Sequence, residues 1–293
     1  MEKANELNDG VWVMKKLIVG LTILLATGFS SLAAAVGSVE AVQLPAWLDR
    51  GGLTVPVSPG IALQIGDTVR TGVGARMLLK LDEGSLIKLG ENAKFVIEKA
   101  QPRGGVFDAA LNVVTGAFRF TTQALAKSTR RDVRIRVGNN ATIGIRGTDL
   151  WGRGREDKDI VCLIEGRIEI TGNDNKSLTL DQPLQFFQST RAALPEPLSF
   201  LPSAQLDIFA AETEIEFGKG ATAKGNWSVV IGGFTSRNEA REAARGLRAN
   251  GYPAEITSEN TVTIAKMESE LSARQLATRL KAGSGFKEVN IRS

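Results

Sequence analysis

Residues 142–151 read TIGIRGTDLW: apolar and β-branched up to Ile145, then Arg146-Gly147-Thr148-Asp149, then apolar again at Leu150 and Trp151. A strand pattern that is cut by a glycine and resumes within a few positions implies two strands joined at a tight corner. That corner is either a plain turn or one piece of a longer signature, and the flanking residues distinguish the two.

Outward from this stretch, residues 36–195 show period-2 alternation punctuated by glycine, the pattern of short strands and tight turns. In DVRIRV (132–137), Val133, Ile135 and Val137 point one way and Arg134 and Arg136 the other. Met77, Leu79 and Leu81 alternate likewise, Asp82-Glu83-Gly84-Ser85 makes a hairpin turn, and Leu86–Leu89 returns. In DIVCLIEGRIEITG (159–172), Glu165-Gly166 separates two more strands. Between Gly60 and Thr190 the only candidate helix is a short piece at 123–126. Strands in such quick succession predict antiparallel pairing in a sandwich or roll.

Three longer runs now align with the opening one. They are LQIGDTVRTGVGARMLLKLDEGSLIKLGENAKFVI (63–97), VTGAFRF (114–120) and NNATIGIRGTDLW (139–151) followed by VCLIEGRIEI (161–170). In this order, from Gly60 to Thr171, they resemble the FecR domain. That resemblance implies structural roles for Gly66, Asp67, Gly84, Arg146, Gly147, Thr148 and Gly166. It makes Arg146-Gly147-Thr148 a corner in which Gly147 takes a backbone conformation costly for other residues and Arg146 bonds nearby carbonyls. It also implies a hairpin ending in Glu165-Gly166. Members of that family include transmembrane regulators that pass an outer-membrane signal to a cytoplasmic sigma factor. Here 13 residues precede Met14 and the hydrophobic segment it opens, so no cytoplasmic anti-sigma domain is expected and signalling by that route is not the expected function.

That segment runs MKKLIVGLTILLATGFSSLAAAVG from Met14. Lys15 and Lys16, an apolar core from Leu17 to Phe29 and the small residues Ala33-Ala34-Ala35 have the layout of a signal peptide over 14–35. Residues 1–13 are polar and acidic, unlike a signal n-region, and read as an upstream extension or a mis-assigned start. The apolar stretch is also long enough for an uncleaved anchor, which needs about 20 residues. Both readings export the rest of the chain to the periplasm, the second leaving it tied to the membrane.

Composition narrows the chemistry. Of 293 residues, 36 are Lys or Arg and 32 Asp or Glu, a net charge of +4 that permits anionic partners without demanding them. The chain has no histidine, which removes the usual general base and zinc ligand. Its one cysteine, Cys162, lies on a strand-like run, forms no disulfide within the chain and suits a buried, inert position. No paired carboxylate motif suggests a glycosidase, whose two carboxyls stand about 5–9.5 Å apart. The expectation is a non-enzyme without metal or cofactor. The stretch from Lys127 to Arg155 is rich in Arg and reads either as a solvated face or as a surface for anionic polymer or headgroups.

Composition shifts at residues 196–225, which read as a linker. LPEPLSFLP places three prolines at 195, 197 and 202, and GKGATAKG (218–225) is small and basic. Between them a short helix fits 203–217, with Ser203 as its cap and Leu206, Phe209, Ala210 and Thr213 on one face.

The last segment, 226–293, reads as βαββαβ, a ferredoxin-like plan with two helices on one sheet face. WSVVIGGF (227–234) is a strand. Ser236 and Glu239 form a capping box for a helix ending near Asn250, stopped by Gly251. PAEIT (253–257) and TVTIA (261–265) are strands, a second helix runs from Ser272 to Ala282, and EVNIR (288–292) closes the unit. The face left bare carries Ser228, Val230, Glu255, Thr257, Thr261, Thr263, Glu288, Asn290 and Arg292. None is aromatic and the chain is exported, so RNA stacking is excluded and no nucleic acid is expected as a partner.

The order of elements, the terminal position and the WSVVIGGFTS start resemble a SPOR domain. That family binds peptidoglycan strands stripped of stem peptides through the uncovered sheet face. The resemblance implies glycan contacts from Ser228, Val230, Thr257, Thr261, Thr263, Asn290 and Arg292. Two departures fall on or beside this face. Val230 stands where glutamine is usual, and Ala265-Lys266-Met267 replaces a Gly-Pro-Phe-like step. The expected fold is thus α+β and multidomain, an antiparallel sandwich followed by a ferredoxin-like module. The expected function is a non-catalytic envelope protein that docks on peptidoglycan and meets another envelope protein through its middle domain. The alternative is a periplasmic regulator or sensor acting through that domain, with a degenerate C-terminal module.

Overall fold

The computed structural model describes residues 34–122, 130–138, 141–145, 147–172, 176–190, 199–257 and 259–293. Two compact units divide the chain at Ala34 and Ala35, and all that follows concerns Ala35–Ser293. Residues 14–33 of the segment expected as a signal peptide, the candidate helix at 123–126, Lys127 and Arg146 lie outside the described residues.

The β-rich region is a sandwich of two sheets. The first holds β1 (Gly37–Gln43), β6 (Arg76–Leu81), β7 (Leu86–Leu89), the end of β9 (Val106–Thr121), β12 (Asp149–Gly154), β13 (Lys158–Glu165) and β16 (Gln185–Thr190), in that spatial order. The second holds β3 (Leu53–Pro56), β2 (Ala46–Arg50), β5 (Thr68–Thr71), β8 (Lys94–Arg103), the start of β9, β10 (Arg130–Val137), β11 (Ala141–Ile145), β14 (Ile168–Gly172) and β15 (Ser177–Leu180). The alternating residues lie between the sheets: Met77, Leu79, Leu81, Val133, Ile135 and Val137 are all buried.

Strand β9 serves both sheets because it bends at Gly116. The glycine has φ +93° there, and a Cβ would meet the Ala93 backbone at 2.5 Å. Only a residue without a side chain fits that crossing. The bend corrects the all-antiparallel expectation at one place. Having left the second sheet, the chain re-enters it in the same direction, and β10 pairs with β9 in parallel from Arg130↔Val106 to Val137↔Val113.

TIGIRGTDLW is a second crossing. β11 belongs to the second sheet and β12 to the first, so Gly147 (φ +68°) carries the chain from one layer to the other. Glu165-Gly166 is the return crossing, from β13 in the first sheet to β14 in the second. The hairpin that the sequence resemblance implied is β12–β13, which ends at this crossing (Asp149↔Glu165), and not a pairing of β13 with β14. Both flanking strands find their partners elsewhere, because each must bury its apolar face in a different layer.

From residue 199 onward, the stretch expected as a linker is packed. It contains β17 (Ser199–Phe200), helix α1 (Ser203–Thr213) and β18 (Ala221–Thr222). Phe209 of α1 stacks on Trp151 with centroids 3.8 Å apart and ring planes 1° from parallel. Ser203 is the first helical residue rather than the cap. Pro202 holds the cap position and makes no side-chain bond, as suits a residue with φ preset near −65°.

The C-terminal module runs β19 (Trp227–Gly232), α2 (Arg237–Ala249), β20 (Ala254–Ile256), β21 (Val262–Met267), α3 (Glu270–Ser284) and β22 (Glu288–Arg292). The spatial order is β20-β21-β19-β22, all antiparallel. Ser236 caps α2 by accepting the Glu239 N–H at 3.2 Å, while Glu239 accepts from the Thr235 N–H at 2.8 Å. Helix α3 begins two residues before the expected start because Ser269 caps it, accepting the Ser272 N–H. Val229, Ile231, Val262, Ile264 and Val289 are buried under Ala240, Ala244, Leu247, Ala273, Leu276 and Leu280.

The two regions share a sheet. β18 pairs with β1 (Val42↔Ala221) and with β21 (Ala221↔Met267), which joins the C-terminal sheet to the first sheet of the sandwich. Around this seam Trp47 Nε1 donates to the Ala249 carbonyl at 3.1 Å and the Ala46 N–H to the Gly251 carbonyl at 3.1 Å. Gln43 and Glu216 exchange two bonds at 2.9 Å.

Candidate functional site

The face of β20-β21-β19-β22 away from the helices carries the residues singled out from the sequence. Strand alternation puts them there: the residues between the buried Val229, Ile231, Val262, Ile264 and Val289 must point outward. Register then sets them in rows. Glu255 pairs with Thr263, Thr263 with Val230, and Val230 with Asn290, so four side chains cross the sheet in one line. Ser228 pairs with Arg292 beside it. Directly opposed Cβ atoms in such pairs stand about 4.5–5.5 Å apart, giving a row about 15 Å long.

Glu255, Glu288, Asn290 and Arg292 are exposed, while Ser228, Val230, Thr257, Thr261 and Thr263 are half-buried. Among the described residues the side chains of Ser228, Thr263, Asn290 and Arg292 make no hydrogen bond or ion pair, so their donors and acceptors face solvent. Thr257 and Thr261 are different. Their hydroxyls bond each other at 2.6 Å and staple the β20–β21 turn, backed by the Thr257 N–H to the Thr261 carbonyl at 2.9 Å. The row is thus polar at both ends and apolar at Val230.

The departure at Ala265-Lys266-Met267 has a local cause. Lys266 has φ +66°, a conformation that disfavours side-chain-bearing residues, and its Nζ donates to the Pro59 carbonyl at 2.8 Å. Met267 is buried and pairs with both Ala221 and Trp227. This end of β21 is therefore engaged with the sandwich.

The signature residues of the β region build corners. Gly66 (φ +90°) turns the chain so that Asp67, buried, accepts two bonds from Arg50 at 2.7 and 2.6 Å and one from the Gln64 N–H at 2.7 Å. Gly84 (φ +98°) makes the β6–β7 turn. Thr148 is buried at the sheet crossing. Its N–H donates to Thr122 Oγ1 at 2.7 Å and its hydroxyl to the Arg167 carbonyl at 3.0 Å, tying the outward crossing to the return one. Gly166 (φ +93°) lies against that seam, where a Cβ would be driven into the Gly147 carbonyl oxygen.

Asp149, next in the motif, accepts two bonds from Arg119 at 2.9 and 2.6 Å and one from Thr121 at 3.1 Å. The carboxylate beside it raises the Arg119 pKa further above its ordinary value. Neither Arg119 nor Arg50 carries a sequence signal, because each meets its partner only through strand pairing or a turn.

The Arg-rich stretch is largely partnered. Arg134 pairs with Asp132, Arg136 with Glu98, and Arg153 with Glu212 of α1 while lying over the Trp151 ring at 5.1 Å. Cys162 is buried, and desolvation pushes its thiol up to about 12. Among the described residues no three His, Cys, Asp or Glu side chains converge as metal ligands, and no helix is long and apolar enough to cross a membrane.

Comparison with known proteins agrees with this division. Two crystal structures of a proposed anti-sigma factor from Parabacteroides distasonis ATCC 8503 are among the solved structures to which the chain is similar. One is 9% identical over 77% of this chain and 98% of its own, with TM-score 0.41. The other is 10% identical over 74% and 91%, with TM-score 0.40. That likeness is too slight to transfer a function. No curated protein matches the chain. The family model described as FecR protein matches residues 67–169 and that described as SPOR domain matches residues 223–292, so the chain carries a FecR domain and a SPOR domain in tandem.

Proposed function

We propose that this is a non-catalytic periplasmic protein of the cell envelope that docks on peptidoglycan, specifically on glycan strands lacking stem peptides. The SPOR module does the docking and the FecR module is the scaffold that meets a further envelope component. One observation carries the reading: the bare sheet face presents Ser228, Thr263, Asn290 and Arg292 in register with their polar groups unspent. A sugar strand offers hydroxyls, amides and carbonyls along an extended line, and a flat row of free donors and acceptors satisfies them without rearrangement. Val230 at the centre of the row supplies apolar contact in place of a hydrogen bond.

The test is retention of the purified chain on isolated sacculi before and after an amidase removes the stem peptides. Retention that rises after amidase treatment and falls about tenfold in Asn290→Ala and Arg292→Glu supports docking, the loss of one or two polar contacts being worth roughly that factor. Val230→Gln should strengthen binding. No retention in either preparation would favour the regulator reading over the docking one.

A further inference from the structure

A groove of about 870 Å³ opens where the FecR and SPOR modules meet. One wall is the sandwich, through Pro45, Trp47 and Val73. The other is the pair of SPOR helices, with Leu247 and Leu280 at its base and Tyr252 and Phe286 along its length. The volume is within the range of formed ligand sites, and module junctions are where such sites concentrate. Volume alone identifies no occupant; four further features do.

The first is glycine. Gly246 in α2 and Gly283 in α3 both line the groove, and a Cβ built on either meets nothing within 4 Å. Helical glycine costs about 1 kcal/mol relative to alanine. Neither packing nor a positive φ explains that cost at these two positions. The missing side chains widen the groove from both helices.

The second is preorganised aromatic surface. Trp47 is held in place by its bond to the Ala249 carbonyl at 3.1 Å and by Arg70 at 5.3 Å from its ring. Tyr252 lies under Arg279 at 5.9 Å. Val73 at the rim is 77% exposed, a large apolar side chain left in water beside an apolar channel.

The third is charge. Across α2 and α3 the sequence places seven Arg and Lys against three Glu. Arg279 at the groove edge has no carboxylate partner among the described residues.

The fourth is that several of the polar groups lining the groove are already engaged. The Thr71 hydroxyl is spent on the Gly90 carbonyl and the Ala93 N–H, Trp47 Nε1 on Ala249, and Asn250 Nδ2 on the Gly246 carbonyl. A sugar hydroxyl buried against one of these engaged groups would cost about 1–3 kcal/mol. Apolar side chains would not.

From these features we infer that the junction groove binds an acidic, apolar-studded peptide segment of a partner protein. Its large side chains seat between α2 and α3 against Trp47, Tyr252 and Phe286, and a carboxylate meets Arg279. The site is separate from the glycan face and stands whether or not that face binds sugar.

The probe is a phage-displayed library of random twelve-residue peptides, selected on the full purified chain, with recovered peptides remade as fluorescent ligands for anisotropy. The expected binders combine two or more large apolar residues with Asp or Glu. Their affinity falls at least about tenfold in Arg279→Glu, as for loss of one well-placed charge pair, and by a similar factor in Gly283→Leu, which fills the groove. Arg274→Glu, on the same helix but paired with Glu270, leaves binding unchanged. Gly246→Leu, also at an unobstructed position, provides a second filled groove should Gly283→Leu fold poorly, as monitored by circular dichroism. Four results overturn the inference: no peptide recovered, peptides without acidic residues, affinity indifferent to these variants, or displacement of the peptide by chitotetraose. Self-association that vanishes in Gly283→Leu would assign the groove to a second copy of the chain and also overturn it.

Discussion

Two glycines at the paired sheet crossings separate backbone strain from steric exclusion. Gly147 and Gly166 both have positive φ, +68° and +93°, but only the second is crowded. A Cβ on Gly147 has nothing within 4 Å, whereas on Gly166 it runs into the Gly147 carbonyl and lies 3.1 Å from Thr148 Cα. Alanine in a left-handed conformation costs about 1–2 kcal/mol, offset by about 0.4–1 kcal/mol from the less flexible unfolded chain. Gly147→Ala should therefore destabilise by about 1 kcal/mol. Gly166→Ala carries a similar backbone cost and must also push apart two backbone segments. Relief requires opening the Thr148 bonds to Thr122 and Arg167, each worth about 1 kcal/mol. Its total is about 3 kcal/mol. With a urea m-value of about 2–3 kcal/mol/M, the two variants should unfold with midpoints roughly 1 M apart. The measurement is urea denaturation followed by circular dichroism and by the fluorescence of buried Trp151, which is four residues from Gly147. Equal midpoints would refute the claim that the two crossings are wedged against each other.

Other consequences follow from single contacts. Phe209→Ala removes the ring stacked on Trp151 and should cost about 3 kcal/mol for a buried aromatic, with the Trp151 emission shifting red. An unchanged spectrum would mean α1 does not cover this tryptophan in solution. Arg70 beside Asp49 holds its carboxyl below the ordinary value of 3.8. The folded state therefore releases this proton more readily than the unfolded state, so the stabilisation is present above pH 3.8 and is lost as pH falls through the lower folded value. Asp49→Asn should flatten the acid limb of melting temperature against pH below about 4, and an unaltered limb would contradict the pairing. Cys162, its thiol pushed up to about 12 by burial, should resist maleimide at pH 8 until urea unfolds the chain. Labelling at the rate of a free thiol would show that the first sheet opens locally.

Much of the architecture was legible because it rests on local chemistry. Alternation placed Val133, Ile135 and Val137 inside, the Asp82–Ser85 turn closed a hairpin, and Ser236 with Glu239 located the start of α2. The misreadings of strand pairing have a different cause, since they depended on which sheet a strand joins. A period-2 pattern tells which side of a strand is buried but not against which layer. Glu165-Gly166 therefore reads as a turn between two strands, without revealing that β13 and β14 belong to opposite sheets. The bend of β9 at Gly116 was invisible for the same reason: glycine signals a special backbone geometry, but the Ala93 backbone that demands it is remote in sequence. The packed 196–225 stretch misled through composition. GKGATAKG reads as flexible, yet Ala221 in its midst is buried between β1 and β21. For the candidate sites, the residues of the glycan face follow from strand parity alone. The groove does not, because half of its wall is Pro45, Trp47 and Val73, almost 200 residues upstream of the helices that complete it.

The seam at β18 gives this arrangement its mechanical sense. A SPOR module on a free tether would present its sheet face in any orientation. Here the ladder from β1 through β18 to β21, with Trp47 on Ala249 and Lys266 on Pro59, fixes one module against the other. Lys266 accepts an unfavourable backbone conformation at φ +66° and makes that cross-module bond. The bare sheet face and the helix-lined junction groove then lie on opposite faces of the SPOR sheet. A glycan strand and a peptide would reach the protein from different directions without a steric contest. On the reading proposed here, the chain joins a wall polymer on one side to a protein partner on the other, and the rigid seam keeps the distance between them constant.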